Sequence, residues 1–366
     1  MFSIAGGIVT VEIVEAIARI AAEWDALVER VAAAPYLRAG WIATWCAAFG
    51  ARPMILCARR RGRLVGGLAM RRSGGGLRAR AGGLSTPTNA QTPGYAMLAE
   101  DPDVGAELAR AVFANGARAV RLAYFDADDP GLAQLAGAAD ARGYRVLRTT
   151  IQRSPFVVLD GSAAAVDARL GSKHASNLRR LRRRLERVGE VAVEVSDGRS
   201  GLDELLAEGM RLESSGWKAE RGTAIASRAD TQGFYVHLAR WARDAGLLRL
   251  AFLRLDGRGL AFQLALEDRS AYYFLKGGYD PDAARLGPGK LLAHEMIHRA
   301  AEAGLQRFEF LGAAEPWKLE WTRDCHERVL LHAFAPTPLG ALDRLAQSGY
   351  RHYARPLAKQ TVARLR

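Results

Sequence analysis

The stretch that decides the fold lies between residues 247 and 296. It reads LLRLAFLRL (247–255), Asp256-Gly257, GLAFQLALE (259–267), AYYFLKG (271–277), and then GGYDPDAARLGPGKLLAHEM (277–296). The first two apolar runs are strand-length. Asp-Gly between them suits the left-handed residues of a two-residue hairpin turn. AYYFLKG supplies a third strand. A glycine-rich loop follows, and the spacing predicts a helix over 289–303. Pro288 suits the first helical position, where its missing N–H costs nothing. The amides of Gly289, Lys290 and Leu291 are then expected unpaired at the positive end of the helix dipole. Gly287 and Gly289 would let a ligand approach the backbone, and Lys290 would add charge. A strand, loop and helix start in this order form an anion site, and a pyrophosphate fits it. An ordinary Gly-Pro helix start is the plainer reading. The GxxxxGK[ST] spacing of a Walker loop is absent.

Outward from this stretch the chain continues as mixed α and β. QRFEFLG (306–312) and ERVLLHAF (327–334) read as strands. Upstream, helix 172–188 carries Leu178, Leu181, Leu185 and Val188 on one stripe, and Gly189 sits where a helix ends. VAVEV (191–195) reads as a strand, and 200–215 and 231–245 as helices. In the first half, 11–33 and 40–50 read as helices, and PMILCARR and LVGGLAMRR as a hairpin around Gly62. Residues 73–95 read as loops around one short strand. Helix 101–117, strand AVRLAYF (119–125) and helix 130–142 follow. SPFVVLD (154–160) opens the second unit. Both halves place helices before a hairpin, a pattern of distant duplication without a visible residue repeat.

At roughly 150 residues per domain, 366 residues make about two domains. Apolar residues at 49% and charged residues at 25% exclude a disordered tail, a collagen repeat and a coiled coil. No run reaches the roughly 18 apolar residues of a membrane helix. The first residues lack a basic segment, which argues against a secretory signal. Three cysteines with no CxxC pair argue against a disulfide framework or a structural zinc site. A cytoplasmic location is expected, with peripheral contact at the inner membrane as a further option. The net charge of +13 is uneven. Arg169–Arg187 carries eight basic residues and one acid, and Asp343–Arg366 six and one. Such faces attract nucleic acid, anionic lipid or phosphorylated small molecules.

Several stretches taken together resemble the GNAT-type acyltransferases, in the CelD/BcsL-like branch named for bacterial cellulose-biosynthesis clusters. They are SKHASNLRRLRRRLERVG (172–189), SSGWKAERGTAI (214–225), FYVHLARWARDAGLLRLAFLRLDGRGLAFQLAL (234–266), YYFLKGGYDPDAARLGPGKLL (272–292) and FEFLGAAEPWKLEWT (308–322). The first half matches more weakly, through EWDALVERVAAAP (23–35), Trp41, Trp45 and GRLVGGLAM. The family is similar in architecture to the Fem-type peptidyltransferases, which carry two GNAT-like units in one chain. The resemblance implies an α/β fold with a mixed sheet and two tandem units. These are an N-terminal unit over 1–150 without a phosphate loop, a C-terminal acyltransferase unit over 151–340, and a basic helix over 341–366. It implies acyl-CoA along splayed central strands, its pyrophosphate on Gly287, Gly289, Lys290 and Leu291, with Arg285 beside them. The family's loop begins with Gln or Arg. Here that position is Ala284 and Arg285 stands one place late, a departure that leaves two alternatives: a carrier held differently, or another activated acyl donor.

Acyl transfer needs a nucleophile, a base for its proton and donors for the oxyanion. The resemblance places Lys318, between Trp317 and Trp321, at substrate or oxyanion; a surface lysine is the alternative. Glu309 is the candidate base, or an edge-strand ion pair. Tyr279 is the candidate general acid, or a packed loop tyrosine. Trp217, Lys218 and Trp317 are candidates for the acceptor pocket. No metal is expected, although His294-Glu295-Met296-Ile297-His298 spells HExxH, the zincin arrangement, with Glu315, Glu320 or His326 as a third ligand. Arg179, Arg180, Arg182, Arg183, Arg184 and Arg187 cover the helix face opposite the leucines. They form either a solvated face or a dock for tRNA, lipid pyrophosphate or an anionic membrane. The expected function is acyl transfer from acyl-CoA to an amine or hydroxyl of a cell-envelope or polysaccharide precursor. Fem-like aminoacyl transfer, an HExxH hydrolase and a non-catalytic binding protein are the alternatives.

Overall fold

The computed structural model describes residues 8–73, 82–114, 116–215 and 229–349. The chain divides into two compact units. The first comprises residues up to Ile42, Ala51–Ile151 and the segment from Arg328; the second comprises Ala43–Gly50 and Gln152–Glu327.

In the first unit, β1 (Val9–Val14) pairs antiparallel with β2 (Pro53–Arg60), and β2 with β3 (Arg63–Ser73). The expected helix over 11–33 is therefore wrong at its start. VTVEIV alternates apolar and polar, the period of a strand. The helix proper, α1, is Ala21–Arg30. Helix α2 (Ala39–Ala48), which from Ala43 onward belongs to the second unit, matches the expectation for 40–50. Strand β4 (Gly83–Ser85) pairs with β3 and runs parallel to β6 (Ala119–Asp126), while β5 (Leu98–Ala99) adds to β3. Helix α3 (Pro102–Ala114) makes the parallel crossover, and α4 (Pro130–Ala141) packs against it. Strand β7 (Arg145–Val158) starts in this unit, and the end of β13 (Cys325–Phe334) pairs with β6. Gly67 has no room for a side chain: a Cβ there would lie 2.4 Å from the buried Trp24 ring.

In the second unit the strand order is β7, β12 (Arg307–Glu309), β11 (Ala271–Tyr279), β10 (Arg258–Glu267), β9 (Leu248–Leu255), β8 (Val191–Ser196). The pairs β8·β9, β9·β10 and β10·β11 are antiparallel, and β11·β12 is parallel. The β9–β10 turn falls at Asp256 (φ +50°) and Gly257 (φ +80°), the conformation that Asp-Gly predicts. Helix α9 (Pro288–Glu302) makes the crossover from β11 to β12. The two units thus share one order: three antiparallel strands, a fourth, a crossover helix and a parallel fifth. It is a repeat of topology, where the sequence shows only helices before a hairpin in each half.

Helices α5 (Ala163–Arg169), α6 (Ser172–Glu186), α7 (Leu202–Ser214) and α8 (Ala229–Asp244) complete the second unit. Its core joins Leu178, Leu181 and Leu185 of α6 to Leu291, Leu292, Met296 and Ile297 of α9 and to the sheet. Each buried leucine contributes about 1.5–3 kcal/mol, enough to dock α6 despite its crowd of like charges. Val188 is 57% exposed because the helix ends before it, so the expected stripe stops at Leu185. Helix α10 (Pro338–Gly349) closes the described chain, and the rest of the basic tail lies outside it.

Candidate functional site

The β11·β12 pairing is confined to Ala271↔Arg307, Tyr272↔Phe308 and Tyr273↔Glu309. Strand β11 continues to Tyr279, whereas β12 ends at Glu309 and the chain turns off through Leu311 (φ +53°) and Gly312 (φ +61°). From Phe274 onward that edge of β11 carries no β12 pairing. A register shift in the β10·β11 ladder between Leu264 and Ala265 adds a bulge beside the parting. This is the expected splay. Trp317 lies edge-on to Phe274 of β11 and to Phe310 just past β12, with ring centroids 6.4 and 5.5 Å away. It therefore spans the two strands where they part.

Beyond β11, Asp280 caps a short 3-10 turn, Pro281–Leu286, and Gly287 (φ +64°) precedes α9. Gly287 is required twice over. Its backbone is left-handed, and a Cβ would lie 2.7 Å from Leu181 of α6. Of the three amides expected open, Lys290 and Leu291 donate to Gly287 O, each at 3.1 Å. Gly289 is the one whose amide has no acceptor among the described residues. The Tyr279 ring lies against Gly289, where a Cβ would be 3.2 Å from its Cδ1. Lys290 is already engaged: its Nζ bonds Glu320 at 2.5 Å, and His174 holds the same carboxylate oxygen at 3.1 Å. Its charge is neutralised in place. Arg285 is exposed, and its carbonyl accepts from Arg184 of α6.

Positive charge beside this loop comes from α6. Arg179, Arg180, Arg183, Arg184 and Arg187 are exposed, while Arg182 pairs with Glu186 at 2.7 Å and Glu295 at 3.4 Å. Leu181 on Gly287 and Arg184 on Arg285 bring that helix directly against the loop. The sequence placed these arginines on one face but had no signal that the face adjoins the loop.

Lys318 is buried, at 6% exposure. Its ammonium donates to Leu311 O (2.8 Å) and Ala313 O (3.1 Å) and pairs with Glu315 (3.2 Å). It ties together the turn that ends β12. Glu315 also accepts from the Trp317 indole at 3.1 Å. Glu309 is buried at 4% exposure, with both oxygens 3.2 Å from His326 Nε2, whose ring stacks on Phe156. Glu309 and His326 form a carboxylate–imidazole pair near the splay, a partnership 17 residues apart that sequence reasoning missed. Glu213, at the end of α7, is 1% exposed, and a Cβ on Gly278 would lie 2.3 Å from its Cα. Burial pushes the nearby Tyr235 hydroxyl far up, and the Glu213 charge adds to it. Trp217 and Lys218 lie outside the described residues.

The HExxH histidines converge on an unexpected partner. His294 Nε2 and His298 Nε2 lie 2.7 and 2.8 Å from Asp167 Oδ1 of α5. The third ligands considered from sequence are engaged elsewhere: Glu315 on Lys318, Glu320 on Lys290 and His174, His326 on Glu309. Burial lowers the His294 pKa, against the Asp167 hydrogen bond. Burial also pushes Asp167 up, but its bonds from His294 and His298 outweigh this and leave it below the ordinary carboxylate value.

The first unit's crossover helix starts differently. Asp101 Oδ1 accepts from Val104 N at 3.0 Å, and Arg60 pairs with the same carboxylate at 2.7 Å. A carboxylate already occupies the place an anion would take. Among the described residues, no helix is long and apolar enough to cross a membrane.

Residues 172–319 match the family described as acetyltransferase (GNAT) domain. Two solved structures share the fold across nearly the whole chain. One is FemX, at 14% identity, covering 90% of this chain and 99% of that one, with a TM-score of 0.63. The other is the C-terminal domain of a putative lysylphosphatidylglycerol synthetase from Agrobacterium fabrum, at 15% identity, covering 92% and 98%, with a TM-score of 0.53. No curated protein matches the chain. The mixed α/β fold with GNAT-like relatives is as the sequence led us to expect.

Proposed function

We infer that the protein is an acyltransferase that takes its acyl group from acyl-CoA and passes it to an amine or hydroxyl. The observation that carries this reading is the parting of β11 and β12 directly beside the Gly287–Gly289 helix start. An extended thioester can lie against β11 where β12 parts from it, while its diphosphate meets the Gly289 amide. Because Lys290 is held by Glu320, the phosphates would draw their positive partners from α6. Glu309, poised against His326, is the proposed base, acting directly or through water. Tyr279, at the helix start, is the proposed acid. Trp317, and Trp217 with Lys218, would line the acceptor pocket. Lys318 would act on the oxyanion through the turn it holds. A cell-envelope or polysaccharide acceptor rests on the CelD/BcsL-like resemblance of the sequence.

A second reading is aminoacyl transfer from aminoacyl-tRNA. The likeness to FemX supports it, and so does the exposed arginine face of α6 against the donor loop. A thermal-shift panel on the full chain separates the two. A ligand that binds only the folded state at a hundred times its Kd adds about 2.7 kcal/mol. Acetyl-CoA and longer acyl-CoA esters are expected to raise Tm and tRNA to leave it unchanged. A response to tRNA alone, steeply weakened by salt, would select the aminoacyl reading. Silence toward both carriers would remove the transferase reading.

A further inference from the structure

We propose that Asp167, His294 and His298 form a binding site for a divalent transition-metal ion of the zinc class, which staples α5 to α9. His294 and His298 are four residues apart on α9 and so share one face. Their ring centroids are 4.0 Å apart, and both Nε2 atoms converge on a single Asp167 oxygen from a second helix. All three ligand atoms lie within 4.8 Å of one another. Two imidazoles and one carboxylate suit zinc, and three protein ligands leave a fourth position for water. The side chains are 21%, 20% and 47% exposed, so an ion has a route in from solvent.

The present spacing is that of hydrogen bonds. Metal–ligand bonds of about 2.0–2.2 Å at tetrahedral angles need the ligand atoms somewhat farther apart. Small rotations of three partly exposed side chains supply that. Neutral imidazole can present either ring nitrogen, so an Nε2 lone pair is reached by a tautomer change. The arrangement favours a structural over a hydrolytic role. The zincin base would be Glu295, but its carboxylate pairs with Arg182 at 3.4 Å. Helix α5 has only seven residues, and Val166 is its one buried side chain. An ion gripping Asp167 would fix it. Lys290 lies on the same face of α9 one turn before His294, so the staple would hold the helix that starts at the donor loop.

The test uses the full chain, stripped with a chelator and titrated with Co²⁺, then Zn²⁺. The expected result is one Co²⁺ per chain with the visible d–d absorption of a low-coordinate ion. Zn²⁺ displaces it and raises Tm. His294→Ala and His298→Ala should abolish the absorption and the Zn²⁺-dependent rise in Tm, while far-UV circular dichroism and the metal-free Tm stay near those of the parent. His237→Ala, an exposed histidine elsewhere, should change nothing. Absence of saturable one-equivalent binding in the parent overturns the proposal. So does binding that survives both His294→Ala and His298→Ala. Because the readouts are metal binding and Tm, failure here leaves the transferase reading standing.

Discussion

Gly287 and Gly289 sit two residues apart in one loop, yet alanine should affect them in opposite ways. At Gly287 the backbone has φ +64°, a conformation that costs a residue with a Cβ about 1–2 kcal/mol. The new methyl would also lie 2.7 Å from Leu181 Cδ1. Leu181 is 7% exposed and packed in the α6–α9 core, so it cannot simply swing into solvent. Overpacking of this kind adds about 1–3 kcal/mol. Gly287→Ala should therefore lose about 2–5 kcal/mol. At about 2–4 °C per kcal/mol for a unit of this size, Tm should fall by roughly 4–20 °C. Gly289 has no positive φ, and the nearest atom to its virtual Cβ is Tyr279 Cδ1 at 3.2 Å. Alanine is the better helix former, which offsets that contact, so stability should stay within about 0.5 kcal/mol. The methyl would nevertheless stand beside the open amide and weaken CoA binding by about tenfold, or 1.4 kcal/mol. Calorimetric melting and CoA titration of both variants provide the assay. Equal loss of stability at the two positions would refute the reasoning, as would a Gly289→Ala protein that binds CoA as tightly as its parent.

Lys318→Met should cost about 2–4 kcal/mol in urea unfolding, because it strips the partner from Leu311 O, Ala313 O and Glu315 inside a buried turn. An unchanged midpoint would mean that Lys318 does not hold the turn. Burial lowers the folded-state pKa of His174, and the same is true of His294. Below the unfolded value of about 6.5 the unfolded chain binds more protons, so stability should decline as pH falls from 7 toward 5. His174→Gln should flatten part of that decline in a series of melts across this range. Replacing Arg179, Arg180, Arg183 and Arg187 together by Gln should leave Tm nearly unchanged, since all four are exposed. The same variant should weaken binding of CoA or tRNA and reduce its salt dependence; identical salt slopes would take α6 out of the donor site.

Local signals carried the sequence reading a long way. Asp256-Gly257, the leucines of α6 and the Gly-Pro-Gly run before α9 each have a short-range physical cause, and each lies where expected. The strand VTVEIV was misread because it abuts a helix with similar apolar content, and only its period of two separates them. Helix α5 escaped notice because AAAVDAR buries one side chain and so has no apolar stripe. Partnerships were the larger gap. Asp167 meets His294 across 127 positions, and Glu320 meets Lys290 across 30. No spacing rule reaches that far. A charged side chain near a candidate site therefore reads from sequence as free charge. In the fold, Lys290, Lys318 and Glu309 each have a partner that decides what they can do.

The two units differ at the start of their crossover helices. Both run a parallel crossover through a helix, α3 in one and α9 in the other. At α3, Asp101 accepts from Val104 N, and its pKa is lowered first by the Arg60 hydrogen bond and then by that amide. The carboxylate satisfies the helix start and places a negative charge on it, so a phosphate would meet repulsion and no open amide. At α9, Gly287 offers no side chain to cap the helix, and among the described residues the Gly289 amide has no acceptor. Glu320 is engaged by Lys290 and His174. With Lys290 paired to Glu320, the exposed arginines of α6 remain as the positive field beside the loop.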